Sequence, residues 1–288
     1  MSATSRSGVA ILAALGVLAI LGILASAFLA FMRLEQAFAM RDAHQLKAHY
    51  LAVAGVQNAI ALLEADDPDI DALTDSWWLG NAPDPMPMGE GGYTLTISDE
   101  SARLNVISAP PQALSAMLGG DKEAVASLVN FRSAFTPFSV EDFVGANLGA
   151  EAYSRLIALG TVHGDGRVNV NTANADVLAA LPGMDNETAQ RIVDFRNGPD
   201  GIEGTNDDFV FAAPSDLAKT PGITPVRLAP ALTMMKVNSD IFRVHAVGSV
   251  HARTDRPEHV RVVANKKISA LLQRGDNTTI MITLWESS

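Results

Sequence analysis

A stretch of 24 residues from Val9 to Met32 reads VAILAALGVLAILGILASAFLAFM and contains neither a charged residue nor a proline. A helix of this length crosses the roughly 30 Å apolar core of a bilayer. A cleaved signal peptide has an apolar region of only about 7 to 15 residues, so this stretch is too long to be one. The stretch predicts a membrane-spanning helix, and a plain single-pass anchor is an alternative interpretation of it.

Helix-forming sequence continues beyond the apolar stretch, because no proline occurs before Pro68. Large apolar residues recur on one side of this continuation. They are Leu34, Phe38, Leu46, Tyr50, Val53, Ile60 and Leu63. We therefore expect one helix of about 55 residues, roughly 85 Å long, whose first half lies in lipid and whose outer half packs against a globular domain.

Composition limits the possible functions. The chain has 288 residues, enough for about two domains. Its formal net charge of −11 repels nucleic acids and anionic lipids. The absence of cysteine excludes disulfides, thiolate metal sites and cysteine nucleophiles. The sequence has no HExxH motif, nucleophile elbow or Gly-rich phosphate loop, so we predict no enzymatic role.

A short leader, MSATSRSG, precedes the apolar stretch and contains one basic residue, Arg6, and a final glycine, Gly8. This combination resembles the leader of type IV pilins and of type II secretion pseudopilins, in which a prepilin peptidase cuts after the glycine. The resemblance implies cleavage between Gly8 and Val9. It also implies that Val9 becomes the methylated N-terminus of the mature chain.

The fifth residue counted from Val9 is Ala13, where most members of that superfamily carry glutamate. A carboxylate inside a membrane is costly unless it is paired. In pilins it is thought to pair with the N-terminal amine of the neighbouring subunit. A subunit with no neighbour above it does not need this glutamate, and lacking it is typical of the K-type minor pseudopilins, which cap the tip.

An internal repeat at an offset of 64 residues aligns Leu104 to Ala134 with Val168 to Gly198 without a gap, and eleven of the 31 pairs are identical. The identical pairs include Asn105/Asn169, Leu114/Leu178, Gly119/Gly183, Asp121/Asp185 and Phe131-Arg132/Phe195-Arg196. Such a match indicates a duplicated supersecondary unit. Each copy predicts a helix-hairpin-helix, with Ser108 or Thr172 at a helix N-cap, and a further helix pair follows each copy.

The second copy resembles the DNA-binding helix-hairpin-helix of competence proteins, so a membrane-anchored DNA-binding protein of a DNA-uptake system is the alternative function. Phosphate binding by this hairpin needs bare backbone N–H groups at a Gly-x-Gly turn, with basic residues nearby. The two turns here read Gly183-Met184-Asp185-Asn186-Glu187 and Gly119-Gly120-Asp121-Lys122-Glu123. Acidic hairpins should repel DNA, so we expect no nucleic-acid partner.

An insertion, NGPDGIEGTNDDFVF, follows Arg196 and has no counterpart in the first copy. Its oxygen-bearing side chains are Asp200, Glu203, Thr205, Asp207 and Asp208. Calcium takes about six to eight oxygen ligands from flexible loops of this kind, and crowded carboxylates repel one another unless a cation neutralises them. K-type pseudopilins are similar in binding calcium in this lobe. We expect a structural calcium site, with a solvated acidic turn as the alternative.

Strand patterns flank the repeats on both sides. They cover Tyr93 to Ser98, Ile241 to Val250, His259 to Ala264 and Thr279 to Trp285. The segment from Asp66 to Gly92 predicts a connecting loop. The predicted fold class is α+β: a pilin-like long N-terminal helix packed on an antiparallel sheet, with an inserted all-α lobe of duplicated helix-hairpin-helix (SAM-like) units.

The predicted organisation has five parts along the chain. They are a leader at 1–8, a transmembrane helix at 9–32, the outer helix with a loop and the first strands at 33–103, an inserted helical lobe at 104–238, and C-terminal strands at 239–288. This order resembles the K-type minor pseudopilins of type II secretion systems. The resemblance implies an inner-membrane subunit with a periplasmic globular part, which joins the I- and J-type minor pseudopilins at the pseudopilus tip and nucleates assembly for protein export.

Overall fold

The computed structural model describes residues 3–253, 260–275 and 280–287. The helices are α1 (Ala3–Glu64), α2 (Ser76–Leu79), α3 (Pro111–Met117), α4 (Lys122–Ala134), α5 (Ala150–Leu159), α6 (Ala175–Ala179), α7 (Asn186–Arg196) and α8 (Pro225–Leu228). Short 3-10 helices lie at Glu100–Ala102, Val140–Ala146, Pro214–Lys219 and Leu232–Met234. The strands are β1 (Ala82–Met88), β2 (Gly91–Asp99), β3 (Leu104–Asn105), β4 (Gly160–Thr161), β5 (Val168–Asn169), β6 (Met235–Lys236), β7 (Ile241–Arg253), β8 (Val260–Arg274) and β9 (Ile280–Ser287).

Five strands form one antiparallel sheet in the order β1-β2-β7-β8-β9. The helix α1 packs on one face of this sheet, with a shared core that includes Trp77, Leu95 and Phe242. The sheet is non-contiguous in sequence, as predicted, because the lobe is inserted between β2 and β7. Two predicted strand ends, at His259 and Thr279, lie outside the described residues.

The helix α1 runs without interruption from Ala3 to Glu64. Its part from Ala10 onward is long and apolar enough to cross a membrane, and its most apolar stretch of 18 residues has a mean hydropathy of 2.6. Large apolar side chains between Ile11 and Met32 are exposed. The chain therefore carries one N-terminal apolar helix of the length and composition of a single-pass anchor.

The packed face of α1 differs from the predicted one. Small side chains dominate this face, which comprises Ala48, Ala52, Val56, Ala59 and Leu63. A Cβ added at Gly248 of β7 would collide with the carbonyl oxygen of Ala48, so helix and strand backbones meet closely there. The expectation was wrong for the larger residues Leu34, Phe38, Leu46 and Tyr50, which are exposed, because only small residues permit this close approach.

The segment predicted as a connecting loop contains the helix α2 and the edge strand β1. Pairing of β1 with β2 includes Met86 with Tyr93 and Met88 with Gly91, and it shifts register between Ala82 and Met86. Proline lacks the N–H that a central strand needs, but an edge strand leaves one side of its backbone unpaired. The prolines of this segment therefore excluded a central strand and not an edge strand.

The inserted lobe is helical apart from two short parallel strand pairs. In the first repeat β3 pairs with β4, and in the second β5 pairs with β6. One apolar core, extending from Leu104 to Met235, joins both repeats. The lobe sits at the end of α1 opposite the apolar stretch, since Asp71, shortly after α1, donates its N–H to the Val237 carbonyl at 2.9 Å.

The first helix of each repeat begins later than predicted. The N-cap residues are Pro110 for α3 and Asn174 for α6, and the Asn174 side chain accepts a hydrogen bond from the Val177 N–H at 2.9 Å. Ser108 and Thr172 are therefore not N-caps. The Thr172 hydroxyl instead donates to a buried carboxylate at the base of the lobe.

Candidate functional site

The residues predicted for N-terminal processing lie at the start of α1. Gly8 and Val9 belong to its first turns, and Ala13 follows with an exposed side chain. Nothing in this geometry bears on cleavage or methylation. Both therefore stay predictions.

The hairpin turns of both repeats carry aspartates in a capping role. Gly183 and Gly119 have left-handed backbones, with φ of 80° and 73°. Two residues later, Asp185 accepts a hydrogen bond from the Thr188 N–H, and Asp121 accepts from the Glu123 and Ala124 N–H groups. The N–H groups that would hold a phosphate at these helix starts are thus bound by the chain's own carboxylates.

Charge around the second hairpin also opposes phosphate binding. Hydrogen bonds from Thr188 lower the pKa of the Asp185 carboxyl, and the Arg227 cation adds to this effect. Arg227 donates directly to Asp185. The Arg227 cation at this turn is therefore engaged by a carboxylate that stays ionised.

The Phe-Arg pairs that end both repeats have an internal role. Arg132 Nη1 donates to the carbonyls of Val106 and Ala109 at 2.7 and 2.9 Å. Arg196 Nη1 donates to the equivalent carbonyls, those of Val170 and Ala173, at 3.3 and 2.8 Å. Each arginine thus ties the second helix of its repeat to the segment before the first helix.

The acidic loop brings together three of the five predicted metal ligands. One carboxylate oxygen from each of Asp200, Asp207 and Asp208 lies within 4.8 Å of the others. Thr205 joins them, since its hydroxyl lies 2.7 Å from Asp207 Oδ1 and 3.3 Å from Asp208 Oδ1. Glu203 is not part of this group, and its charge instead affects Arg196. Burial lowers the pKa of Arg196, although the negative charges of Glu203 and Asp208 act to raise it.

Hydrogen bonds within the loop fix its shape. The Ile202 N–H donates to Asp200 Oδ1 at 2.8 Å, and the Gly204 N–H donates to Asp208 Oδ2 at 2.7 Å. The hydrogen bond from Thr205 is the main cause that lowers the pKa of Asp207. A carboxylate has about four lone-pair sites, so each can still bind a cation. Three carboxylates and a hydroxyl, with backbone carbonyls nearby, form an oxygen donor set that suits a hard cation such as calcium.

The loop also packs against the body that carries the sheet. Gly204 has a φ of 81°, and a Cβ there would lie 3.1 Å from Trp78 Nε1 and 3.2 Å from the Leu73 carbonyl oxygen. Trp78 belongs to α2, beside the buried Trp77. The acidic loop therefore lies between the second repeat and the segment that follows α1.

A buried carboxylate, Asp99, joins the sheet to the second repeat. Asp99 is the last residue of β2, and its Oδ2 accepts hydrogen bonds from three side chains. The donors are Thr172 Oγ1 at 2.5 Å, Ser239 Oγ at 2.6 Å and Asn169 Nδ2 at 3.3 Å. Asp99 ends β2, where the chain leaves the sheet, and Ser239 lies just before β7, where the chain returns to it. The Asp99 carboxylate therefore joins these two segments.

The next residue, Glu100, joins the sheet to the first repeat. Its Oε1 accepts from Arg243 Nε of β7 at 2.6 Å, and its Oε2 accepts from the Thr161 hydroxyl of β4. Burial acts to raise the pKa of Glu100, but the Arg243 and Thr161 donors outweigh it and the pKa is lowered. Each repeat thus has its own buried acid at the base of the lobe.

A third acidic group surrounds Arg274 at the end of β8. Arg274 Nη1 donates to both oxygens of Asp71 at 2.9 Å, and Nη2 lies 3.2 Å from Asp66 Oδ2. One oxygen from each of Asp66, Asp71 and Asp75 lies within 4.8 Å of the others. Asp71 Oδ2 also accepts from the Ser239 N–H at 2.7 Å, which links this group to the base of the lobe.

This fold defines a class of protein: a pilin-like α+β chain with one N-terminal apolar helix and an inserted lobe of two helix-hairpin-helix repeats. Residues 164–231 match the family model of the helix-hairpin-helix motif, which covers the second repeat. A comparison with curated proteins gave no match.

The chain is similar to a chain in the crystal structure of the GspK-GspI-GspJ complex from the type 2 secretion system of enterotoxigenic Escherichia coli. The TM-score is 0.57 at 15% sequence identity, and the match covers 89% of this chain and 99% of the other. The likeness therefore spans the helix, the sheet and the inserted lobe, and it establishes the pilin-like fold.

Proposed function

We propose that this chain is a minor pseudopilin at the tip of a type II secretion pseudopilus, where it nucleates assembly for protein export across the outer membrane. The observation that carries the proposal is the position of the lobe. It is inserted between β2 and β7 at the end of the body opposite the apolar stretch of α1. A lobe at that end obstructs the addition of a further subunit above, so the subunit suits the end of a filament.

Two features of α1 support the same function. Ala13 stands where pilins carry a glutamate that pairs with the subunit above, and a tip subunit has no such neighbour. Leu34, Phe38, Leu46 and Tyr50 are exposed beyond the membrane-spanning part and form apolar surface for lateral neighbours. We infer that these neighbours are the I- and J-type minor pseudopilins, because the similar structure is a complex with GspI and GspJ.

Processing by a prepilin peptidase at the inner membrane is the first test. In cells with an active peptidase, N-terminal sequencing of the membrane-purified protein should give Val9 as the first residue. The globular part would then lie in the periplasm. Recovery of Met1 or Ser2 would contradict the pilin-like pathway.

Lateral assembly is tested by cross-linking, which the absence of native cysteine makes specific. Leu46→Cys should cross-link to cysteines placed on the α1 helices of co-expressed I- and J-type subunits. Phe138→Cys, on an exposed residue of the lobe, is the matched control and should not. Cross-linking from Phe138 but not from Leu46 would place the partners on the lobe and overturn the proposed assembly.

Tip position is tested at Ala13. Ala13→Glu introduces an unpaired carboxylate that costs about 3 kcal/mol in the membrane if no subunit lies above. Pseudopilus formation, measured by secretion or by surface pili on overexpression, should fall. Unchanged or increased formation would indicate that the new glutamate finds the amine of a subunit above, which excludes the tip.

DNA binding is the alternative that the helix-hairpin-helix match raises. Because Asp121 and Asp185 occupy the helix starts, the protein should show no salt-sensitive DNA binding in fluorescence anisotropy. Asp121→Gly with Asp185→Gly frees these N–H groups and serves as the comparison. Micromolar binding by wild type that falls with salt would favour the DNA-uptake function.

We also propose that the acidic loop binds calcium and that the ion has a structural role. Asp200, Asp207, Asp208 and Thr205 would hold it, with Glu203 outside the group.

The melting temperature tests the calcium site. When the free calcium concentration is 100 times the Kd, binding adds about 2.7 kcal/mol to the free energy of unfolding. Calcium should therefore raise the melting temperature of wild type relative to a chelator, and Asp207→Ala with Asp208→Ala should remove that difference. The exposed lobe acids Asp176→Ala with Asp194→Ala are the control and should keep it. If calcium does not change the melting temperature of wild type, the calcium proposal is wrong and the loop is a solvated acidic turn.

A further inference from the structure

The base of the lobe has more acidic than basic side chains, and several of the acids are buried. Facing the junction are the carboxylates of Asp66, Asp67, Asp71, Asp75 and Asp99 and the cations of Arg274 and Lys236. Lys236 Nζ lies 2.8 Å from Asp240 and 3.4 Å from Asp165, so its charge is engaged by other carboxylates. Arg274 is therefore the principal cation for the acids on the segment after α1.

Charge within the Arg274 group does not balance if every acid is ionised. Asp66, Asp71 and Asp75 bring one oxygen each within 4.8 Å of the others, and one guanidinium contacts two of them. Asp71 is fully buried and Arg274 nearly so. Uncompensated charge is strongly disfavoured in such a site, and a proton is the smallest ion that relieves it.

We propose that this cluster retains a proton in the native state and that its loss at alkaline pH loosens the lobe from the sheet. The segment that responds is the one that Asp71 holds. Asp71 donates its N–H to the Val237 carbonyl and accepts from the Ser239 N–H, so repulsion at Asp71 acts directly on the chain that returns from the lobe to β7.

The electrostatics of the cluster agree with this geometry. Burial raises the pKa of Asp71 to about 8, against the opposing effects of Arg274 and the Ser239 N–H. Burial likewise raises the pKa values of Asp66, Asp75 and Asp99. Because the native pKa of Asp71 lies above its ordinary value of 3.8, the native state binds more protons than the unfolded state between these values. Stability therefore falls as pH rises through this window, and the native cluster itself ionises near its upper end.

Distances between spin labels test the proposal in the full chain in detergent micelles. The absence of native cysteine allows one label at Ala126→Cys in α4 and one at Asn265→Cys in β8, both exposed positions. The distance distribution should be narrow at pH 6.5 and reversibly at least twofold broader at pH 9.5. A second pair within the lobe, Ala126→Cys with Gln190→Cys, should not change. An unchanged first pair, or equal broadening of both pairs, would overturn the proposal.

Two variants test whether the alkaline broadening comes from the cluster or from general charge repulsion in the chain. Asp71→Asn keeps the size and one acceptor oxygen but cannot ionise, so the alkaline broadening should disappear. Glu100→Gln, a buried acid at the same junction that is paired with Arg243, should retain it. Should Asp71→Asn fail to fold, Asp66→Asn removes one charge from the half-buried edge of the cluster and should halve the broadening. Broadening in Asp71→Asn or Asp66→Asn equal to that of wild type would overturn the proposal.

Discussion

The two repeats of the lobe have the same internal bonds and different surroundings. In each, the arginine at the end of the second helix reaches the same pair of carbonyls, and an aspartate caps the start of that helix. Residues identical between the copies therefore maintain each unit from within. A shared ligand is not needed to explain them.

The surroundings separate the copies. Arg132 remains partly exposed, whereas Arg196 is only 4% exposed and lies beneath the acidic loop. The second repeat meets the sheet through Asp99 and the first through Glu100. The second copy thus carries the loop and attaches to the sheet through a different acid, while the hydrogen bonds inside both copies are the same.

The largest expected difference between the repeats concerns these arginines. Arg196→Met leaves two buried carbonyls without their donor, so it should cost about 3 kcal/mol of unfolding free energy. Arg132→Met should cost about 1 kcal/mol, because Arg132 is itself partly exposed and water can take the place of its guanidinium. Hydrogen exchange of lobe amides in the full chain measures both. Equal costs would show that burial does not distinguish the two repeats.

A smaller difference is expected at the hairpin glycines. Gly183→Ala and Gly119→Ala both place a side chain on a left-handed backbone, which costs about 1 to 2 kcal/mol. Only at Gly183 would the Cβ also press on the backbone, 3.1 Å from the Arg227 carbonyl oxygen. At Gly119 the nearest atom is Arg155 Nε, at 3.9 Å.

Gly183→Ala should therefore be less stable than Gly119→Ala by about 1 kcal/mol. Thermal unfolding followed by calorimetry compares the two variants under identical conditions. Similar melting temperatures would mean that the helix α8 segment moves aside readily, and the close approach at the second hairpin would then not constrain the lobe.

The sequence predicted the fold where patterns are local or repeated. The apolar run from Val9 and the alternation from Tyr93 follow directly from helical and strand periodicity. The offset of 64 residues revealed the duplication. The prediction failed for the packed face of α1, because the choice of Ala48 and Ala52 over Leu46 and Tyr50 depends on the glycine of a strand about 200 residues away.

The clustering of Asp200, Asp207 and Asp208 was predictable because these residues are close in sequence. The junction was not, since Asp71 and Arg274 are 203 residues apart and neither belongs to a motif. The consecutive acids Asp99-Glu100 at the end of an alternating strand were the one available signal. Their separate partners in the two repeats are visible only in three dimensions.

The smallest expected effect distinguishes the two attachments by pH. Glu100 has a lowered native pKa, so its contribution to stability is present above the ordinary value of 4.5 and is lost as pH falls through the native pKa. Glu100→Gln should therefore melt a few degrees below wild type at pH 6, and this gap should narrow as the pH is lowered toward 3.5. Burial raises the pKa of Asp99, so its contribution to stability falls as the pH rises. The melting temperature of Asp99→Asn relative to wild type should therefore increase with pH. Melting curves of the full chain in detergent at several pH values test both slopes. The structure has an ion pair at Glu100 and neutral donors at Asp99, so the melting temperatures of the two variants should change with pH in opposite directions relative to wild type. A change in the same direction would contradict this difference between the two attachments.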